Sequence, residues 1–282
     1  MPWEELAMEN TYEDMILPVT TITSGDGLET ASDLYCLPIQ IVNVCFAGDP
    51  EGDWVLVDAG MPRSADTMLR VAEERFHGSK PQAIVLTHGH FDHVGAIVDL
   101  VQYWNVPVYA HELELPYLTG RADYPPADPT VDGGLVTEMS PLFPNDGIDL
   151  SGHIRSLPAD GSVPSMPGWR WVHTPGHTPG HVSLFRDRDR ALIAGDAFVT
   201  VKQESLYKVI MQETEFSGPP KYFTTDWGLA EESVKKLEAL KPAVAVTGHG
   251  RPVSGDVLAE GLRLLANDFK RIAVPQQGRY VH

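Results

Sequence analysis

The run Thr87-His88-Gly89-His90-Phe91-Asp92-His93 puts three imidazoles and a carboxylate within seven residues. Such groups are the usual ligands of zinc, manganese and iron, and an ion that keeps a position open for water takes three or four protein ligands. His88 and His90 are two apart, so on an extended segment their side chains leave the same face. Asp92 continues that spacing, while His93 is offset and can turn toward a neighbouring position. Four such groups between residues 88 and 93 already point to two ions.

The missing ligands are sought where other apolar runs end. His177 lies in Thr174-Pro175-Gly176-His177-Thr178-Pro179-Gly180-His181, where Pro-Gly steps let the backbone turn sharply. Asp196 follows Ala191-Leu192-Ile193-Ala194 after one glycine, and a carboxylate at a strand end can bridge two cations. His249, in Thr247-Gly248-His249-Gly250, follows Ala243-Val244-Ala245-Val246 in the same way. Taken singly, a loop histidine is more often a surface residue and a Gly-Asp pair more often a turn. Together with the cluster they make a constellation.

The elements that must hold these groups are legible in outline. Residues 1–34 read as an N-terminal extension and 35–282 as the main domain, with residues 39–46 a strand, Trp54-Val55-Leu56-Val57 its hairpin partner and 64–76 a helix with Ser64 as candidate N-cap. Ala83-Ile84-Val85-Leu86 is a strand running into the histidine cluster, a helix is expected from about 95 to 104, and a short strand at 106–110. Residues 116–168, rich in Pro, Gly and Asp, read as an irregular insertion, either a cover over the site or a plain surface segment, with Tyr117, Tyr124, Leu142, Phe143 and Met166 available as an apolar wall. Residues 169–173 alternate like a strand, and 181–185 with 191–194 form a hairpin whose charged turn, 186–190, is expected in solvent. Helices are expected at 203–214 and 229–240, a strand at 243–246 and one closing helix at 254–271. The two halves echo one another, and packing them face to face would bring four strand ends to one edge.

This constellation resembles that of the metallo-β-lactamase superfamily. His88, His90, Asp92 and His93 fit its His-x-His-x-Asp-His block, and His177, Asp196 and His249 fit its later ligands. The resemblance spans roughly residues 35–255 and implies the family's αββα sandwich, an α+β fold of four layers. It also implies that His88, His90 and His177 hold one ion, that Asp92, His93 and His249 hold the other, and that Asp196 bridges them. Asp58, in Val57-Asp58-Ala59-Gly60, looks like the family's aspartate after the early strand and is expected to fix a histidine tautomer from outside the ligand set, a plain turn carboxylate being the alternative. His181 is weighed equally as a surface residue, His173 is expected in ordinary packing, and His111 at a solvent-facing helix start.

Two divalent ions, zinc first with manganese or iron allowed, would share a hydroxide and polarise a scissile carbonyl or phosphoryl oxygen. Asp92 is expected both to bind metal and to carry a proton to or from the reacting groups. The reaction expected is hydrolysis of a small-molecule ester or lactone. The alternatives are a glyoxalase-II-like thioesterase, a phosphodiesterase, or a redox or non-enzymatic metal protein. The lactonases that open acyl-homoserine lactones carry a tyrosine three residues after the bridging aspartate, where this chain has Val199; Tyr207 lies eight further on. Phe91, Phe198 and Tyr207 hint at an apolar substrate portion.

Composition narrows the partners. Twenty-one basic against 39 acidic residues give a formal charge of -18, which repels nucleic acid and anionic membrane surfaces. The apolar runs are too short to span a bilayer. Two cysteines, Cys36 and Cys45, make no disulfide framework, and the acidic start MPWEELAMENTYED lacks the basic and apolar regions of a signal peptide. A cytoplasmic location and a small-molecule substrate are expected, with a homodimer left open.

Overall fold

Several of the strands are buried along their whole length, and a strand of that kind needs cover on both faces. The computed structural model, which describes residues 8, 9, 11, 12 and 19–281, supplies that cover with two face-to-face sheets and an outer layer of helices on each.

The first half runs β1 (Leu28–Ala31), β2 (Leu34–Ile39), β3 (Val42–Gly48) and β4 (Trp54–Val57), then helix α1 (Ala65–Phe76). It continues through β5 (Ala83–Val85), α2 (Phe91–Val94), α3 (Ile97–Trp104), β6 (Val108–Ala110), α4 (Leu115–Leu118), α5 (Leu135–Met139) and β7 (Ile154–Ser156). These seven strands form one sheet in sequence order, antiparallel from β1 to β4 and parallel from β4 to β7. The second half runs β8 (Trp169–His173), β9 (Val182–Arg186), β10 (Ala191–Gly195), α6 (Leu206–Met211), α7 (Trp227–Ala239), β11 (Val244–Thr247), β12 (Val253–Ser254), α8 (Gly255–Asn267) and α9 (Phe269–Ile272). Its sheet has the order β12-β11-β10-β9-β8, with only β10 and β11 parallel.

Because side chains alternate faces along a strand, each strand feeds two apolar layers. Val44, Phe46, Trp54, Leu56 and Ile84 pack outward against Met68, Phe76, Ile97 and Val101 of α1 and α3. Cys45, Val55, Val57 and Val85 face inward and meet Val182, Leu184, Ile193 and Val246 of the other sheet. Phe185, Leu192 and Ala245 face the far side and pack on Val234, Leu237, Leu258 and Leu262 of α7 and α8. Three apolar layers separate four structural ones, which is the αββα sandwich expected. Trp54 anchors the first of them, stacked on Phe76 with centroids 4.2 Å apart and edge-on to Trp104.

Several expectations change in detail. The strand expected over 39–46 is two strands, β2 and β3, folded back at Gln40, whose φ of 55° makes the turn. The sheet reaches back to Leu28, ahead of the boundary expected at 34/35, while part of the expected extension lies outside the described residues. Ser64 does stand before α1, but its hydroxyl donates to the Met61 carbonyl instead of capping the helix. Arg186 is not in solvent: it is 2% exposed, lies over the Trp169 ring and pairs with Asp33 and Asp189. The closing helix is broken at Asp268 into α8 and α9. The stretch 116–168 holds α5 and β7 and is not structureless.

At one edge of the sandwich β4, β5, β10 and β11 all end. The two sheets are tied together there by Val182 N–H donating to the Thr87 carbonyl (3.0 Å) and Asn43 N–H donating to the Gly248 carbonyl (2.7 Å).

Candidate metal centre

Each candidate ligand leaves the C-terminal end of a strand or the turn beyond it. β5 delivers His88 and His90. The chain then turns into α2 instead of staying extended, so Asp92 and His93 project from a helical turn for which His90 is the N-terminal flank. His177 sits in the loop after β8, Asp196 directly after β10 and His249 just beyond β11. The structure brings all seven together in three overlapping groups: His88, His90 and His177; His88, His93 and Asp196; and Asp92, His93 and His249. Within each group the ligand atoms lie within 4.8 Å of one another.

Glycines make the approach possible. A Cβ on Gly248 would stand 2.0 Å from Asp196 Oδ1 and 2.8 Å from His93 Cε1, so only glycine lets the β11 turn pass the carboxylate. Gly195, at φ 55°, turns the end of β10 so that Asp196 faces the histidines.

The imidazoles are oriented from behind. His93 Nδ1–H donates to Asp58 (2.9 Å), His249 Nδ1–H to the Ile41 carbonyl (2.7 Å), and the Nδ1 of His177 meets Thr224 Oγ1 at 3.2 Å. His88 Nδ1 meets Thr87 Oγ1 at 3.1 Å, and that hydroxyl together with Thr87 N–H donates to Asp58. These contacts leave Nε2 of each ring facing its neighbours, the arrangement by which outer partners fix a metal-binding tautomer. Asp58, held at φ 63°, therefore steadies both the His88 and His93 rings, and is more than a turn carboxylate.

Within the cradle His90 Nδ1 lies 3.1 Å from His88 Nε2 and 2.9 Å from His177 Nε2. Asp196 reaches both groups, with Oδ2 3.5 Å from His177 Nε2 and 3.3 Å from His249 Nε2, and Oδ1 3.6 Å from His93 Nε2. Asp92 Oδ2 is 3.3 Å from His249 Nε2. The side chains fit two cations on a further count. His93 Nε2 and Asp196 Oδ1 are buried without a hydrogen-bond partner, and a buried polar atom left so costs stability unless something else meets it. The three groups could hold two metal ions, with Asp196 within reach of both.

Charge divides the site. Burial pushes His90 down to about 4 and lowers His88 and His177 well below the ordinary range, so these three rings are neutral and ready to bind. Burial also opposes the charged form of His249, but Asp196 and Asp92 outweigh it and push it up to about 10. His93 is raised in the same way, burial being outweighed by Asp58 and Asp196. Burial would raise Asp196, yet His249 and His93 hold its carboxyl well below the usual carboxylate range.

Several groups differ from expectation. His181 is fully buried, not a surface residue: its Nε2 accepts from Asp196 N–H (2.9 Å), its Nδ1 lies against Thr174, and it supports Asp196 without belonging to any of the three ligand groups. His111 is also buried, caps a short turn at 112–114 and stacks flat on His173, centroids 4.3 Å apart. Of the aromatic residues singled out, Phe91 packs near the site against Phe223, whereas Phe198 stacks on Phe216 in the outer layer and Tyr207 is exposed. Val199 is buried and pairs with Ser217. In the expected wall, Tyr124 packs on His90 (4.6 Å) and Phe143 on Phe91, whereas Met166 belongs to the layer between the sheets and Leu142 is exposed. Sequence reasoning missed Phe223, stacked on His90 at 4.6 Å, and Glu114, a fully buried carboxylate beside the cluster. Glu114 follows β6 only after His111, Glu112 and Leu113, so the strand-end criterion that singled out Asp196 and His249 does not reach it.

Comparison with known proteins agrees with this geometry. The family model described as Metallo-beta-lactamase superfamily matches residues 38–249. The chain is similar to the probable metallo-hydrolase YflN of Bacillus subtilis (strain 168), 50% identical over 262 residues that cover 92% of this chain and 99% of that protein. It is also similar to an N-acyl homoserine lactonase of a Bacillus species, 25% identical with 74% of this chain and 78% of that protein covered. Among solved structures, TTHA1623 in a di-iron-bound form superposes with a TM-score of 0.53 at 27% identity, covering 79% of this chain and 94% of that one.

Proposed function

The chain belongs to the metallo-β-lactamase superfamily, and from that premise we propose that it is a two-metal hydrolase opening esters or lactones of small molecules. The observation that carries this reading is the shared carboxylate. Asp196 lies within 3.6 Å of His177, His93 and His249, so a neutral three-histidine site and an acidic site stand side by side. Two dications bound there would activate water near neutral pH and polarise the bond to be cut. We take zinc as the native metal, since imidazole and carboxylate ligands suit it, with manganese or the iron of the TTHA1623 structure accommodated by the same donors.

The chain's own residues then divide the work. Asp92 is 8% exposed while the other six ligands are 3% or less, so it is the ligand most open to an incoming molecule. Burial raises the proton affinity of Asp92, but His93 and His249 outweigh it and keep the group ionised. An ionised carboxylate at the least buried ligand position would be placed to take a proton from an attacking water and return it to the leaving oxygen. Phe223 and Tyr124 enclose His90 between rings and exclude water from that side of the cradle. A formal charge of -18 disfavours polyanionic substrates, and the likeness to a lactonase supports a cyclic or open ester; a cytoplasmic location belongs to the same reading.

The test is a panel of lactone, ester, thioester and phosphodiester substrates offered to protein loaded with zinc, manganese or iron. The expected result is turnover of a lactone or ester, cut by roughly 100-fold or more in Asp92→Asn while most of the metal stays bound. Turnover confined to phosphodiesters, or an Asp92→Asn protein nearly as active as the original, would overturn it.

A further inference from the structure

Glu114 is a carboxylate with no exposed surface, and none of the ion pairs among the described residues includes it. Burial raises its proton affinity, opposed only by hydrogen bonds. An acid kept so deep without a cation calls for an explanation, because burying a charge is costly unless it is met.

Its contacts supply one. Oε1 accepts from Thr178 Oγ1 (2.8 Å) and Gly180 N–H (2.7 Å), both in the loop that carries His177. Oε2 accepts from Gly89 N–H (3.2 Å), the residue between His88 and His90, and from the Tyr124 hydroxyl. Tyr124 in turn accepts from Gly89 N–H (3.0 Å), and its ring packs on that of His90. One side chain therefore grips the two segments that supply His88, His90 and His177. None of its hydrogen bonds goes to Asp92, Asp196 or His249 or to a residue beside them.

The same contacts account for two glycines. A Cβ on Gly180 would lie 2.8 Å from Glu114 Oε1 and Cγ, and one on Gly89 would lie 2.5 Å from the Tyr124 hydroxyl. Neither has a φ in the left-handed region; both are small because Glu114 and Tyr124 stand against them.

We propose that Glu114 is a positioning residue for the three-histidine metal site, fixing the distance between the 88–90 turn and the 177 loop. This rests on the two-metal reading above. Removing an outer partner of metal ligands weakens binding by roughly 10–100-fold, and here the loss should fall on one ion alone.

The experiment is a competition titration of the full-length protein with zinc and a chromophoric chelator, with His177→Ala marking the phase that belongs to the three-histidine site. Glu114→Gln should lose about 10–100-fold in that phase and keep the other unchanged, since an amide cannot accept on both arms. Thr178→Val removes one donor without stranding a larger group. It should weaken the same phase by a smaller factor, and keeps the test open if Glu114→Gln does not fold. Unchanged affinity in both variants overturns the proposal and leaves the two-metal reading standing. Equal weakening of both phases makes Glu114 a general structural residue and also overturns it. A wild-type protein that binds fewer than two zinc ions removes the two-metal reading itself.

Discussion

Lowering the pH should loosen the two metal sites unequally, and the structure says by how much. In the metal-free protein burial opposes the proton on His249, but Asp196 and Asp92 outweigh it and hold the ring at about 10. His93, similarly buried, is held protonated by Asp58 and Asp196. An ion entering among Asp92, His93 and His249 near neutral pH must therefore displace a proton from each of the two rings. Every displaced proton adds one unit to the slope of log affinity against pH, so two give about 100-fold per pH unit, or about 2.7 kcal/mol. At the other site burial keeps His90 at about 4 and His88 and His177 low, so nothing is displaced and affinity stays flat above about pH 5. Competition titrations at several pH values between about 4 and about 10, the values to which His90 and His249 are shifted, resolve the two ions. Calorimetry in buffers of different ionisation heat counts the released protons. One steep phase and one flat phase are expected; two flat phases, or two equally steep, would refute the division of charge.

Gly248→Ala places a Cβ 2.0 Å from Asp196 Oδ1, so elemental analysis of the purified variant should show fewer than two ions per chain while circular dichroism stays unchanged. Trp54→Ala removes the ring stacked on Phe76 and should cost about 3–5 kcal/mol in urea unfolding, with the metal sites intact in the protein that remains folded. Without metal, the stability that His249 lends is whole below its unfolded value of 6.5 and is lost as pH rises through about 10. The Tm of the metal-free protein should therefore fall over that range, and a Tm that rises there contradicts the raised value.

The metal centre was legible in the sequence because strand ends announce themselves: an apolar run that stops at Asp58, His88, Asp196 or His249 places a polar side chain at a sheet edge, whatever the register within the sheet. The sandwich was legible for a related reason, since runs such as Trp54–Val57 and Ala191–Gly195 are apolar on both faces and need two covers. Contacts between segments far apart in the chain were not legible. Nothing local in His181 says that its ring accepts from Asp196 N–H, and nothing in Arg186 says that Asp33, 153 residues away, draws it out of solvent. Glu114 hid for the same reason: its partners are Gly89, Tyr124, Thr178 and Gly180, and only the fold brings them together. The turn at Gln40 escaped because Ile39-Gln40-Ile41-Val42 holds no glycine, proline or asparagine, although the backbone at Gln40 is left-handed.

The central claim is that two ions sharing Asp196 make a hydrolase. The measurement that bears on it most directly is the rate of ester or lactone hydrolysis by metal-free protein as zinc is added in steps. Activity that stays low through the first equivalent and rises with the second, and that is lost in Asp196→Ala, is the predicted result. Full activity at one equivalent, or hydrolysis that persists without Asp196, would contradict it.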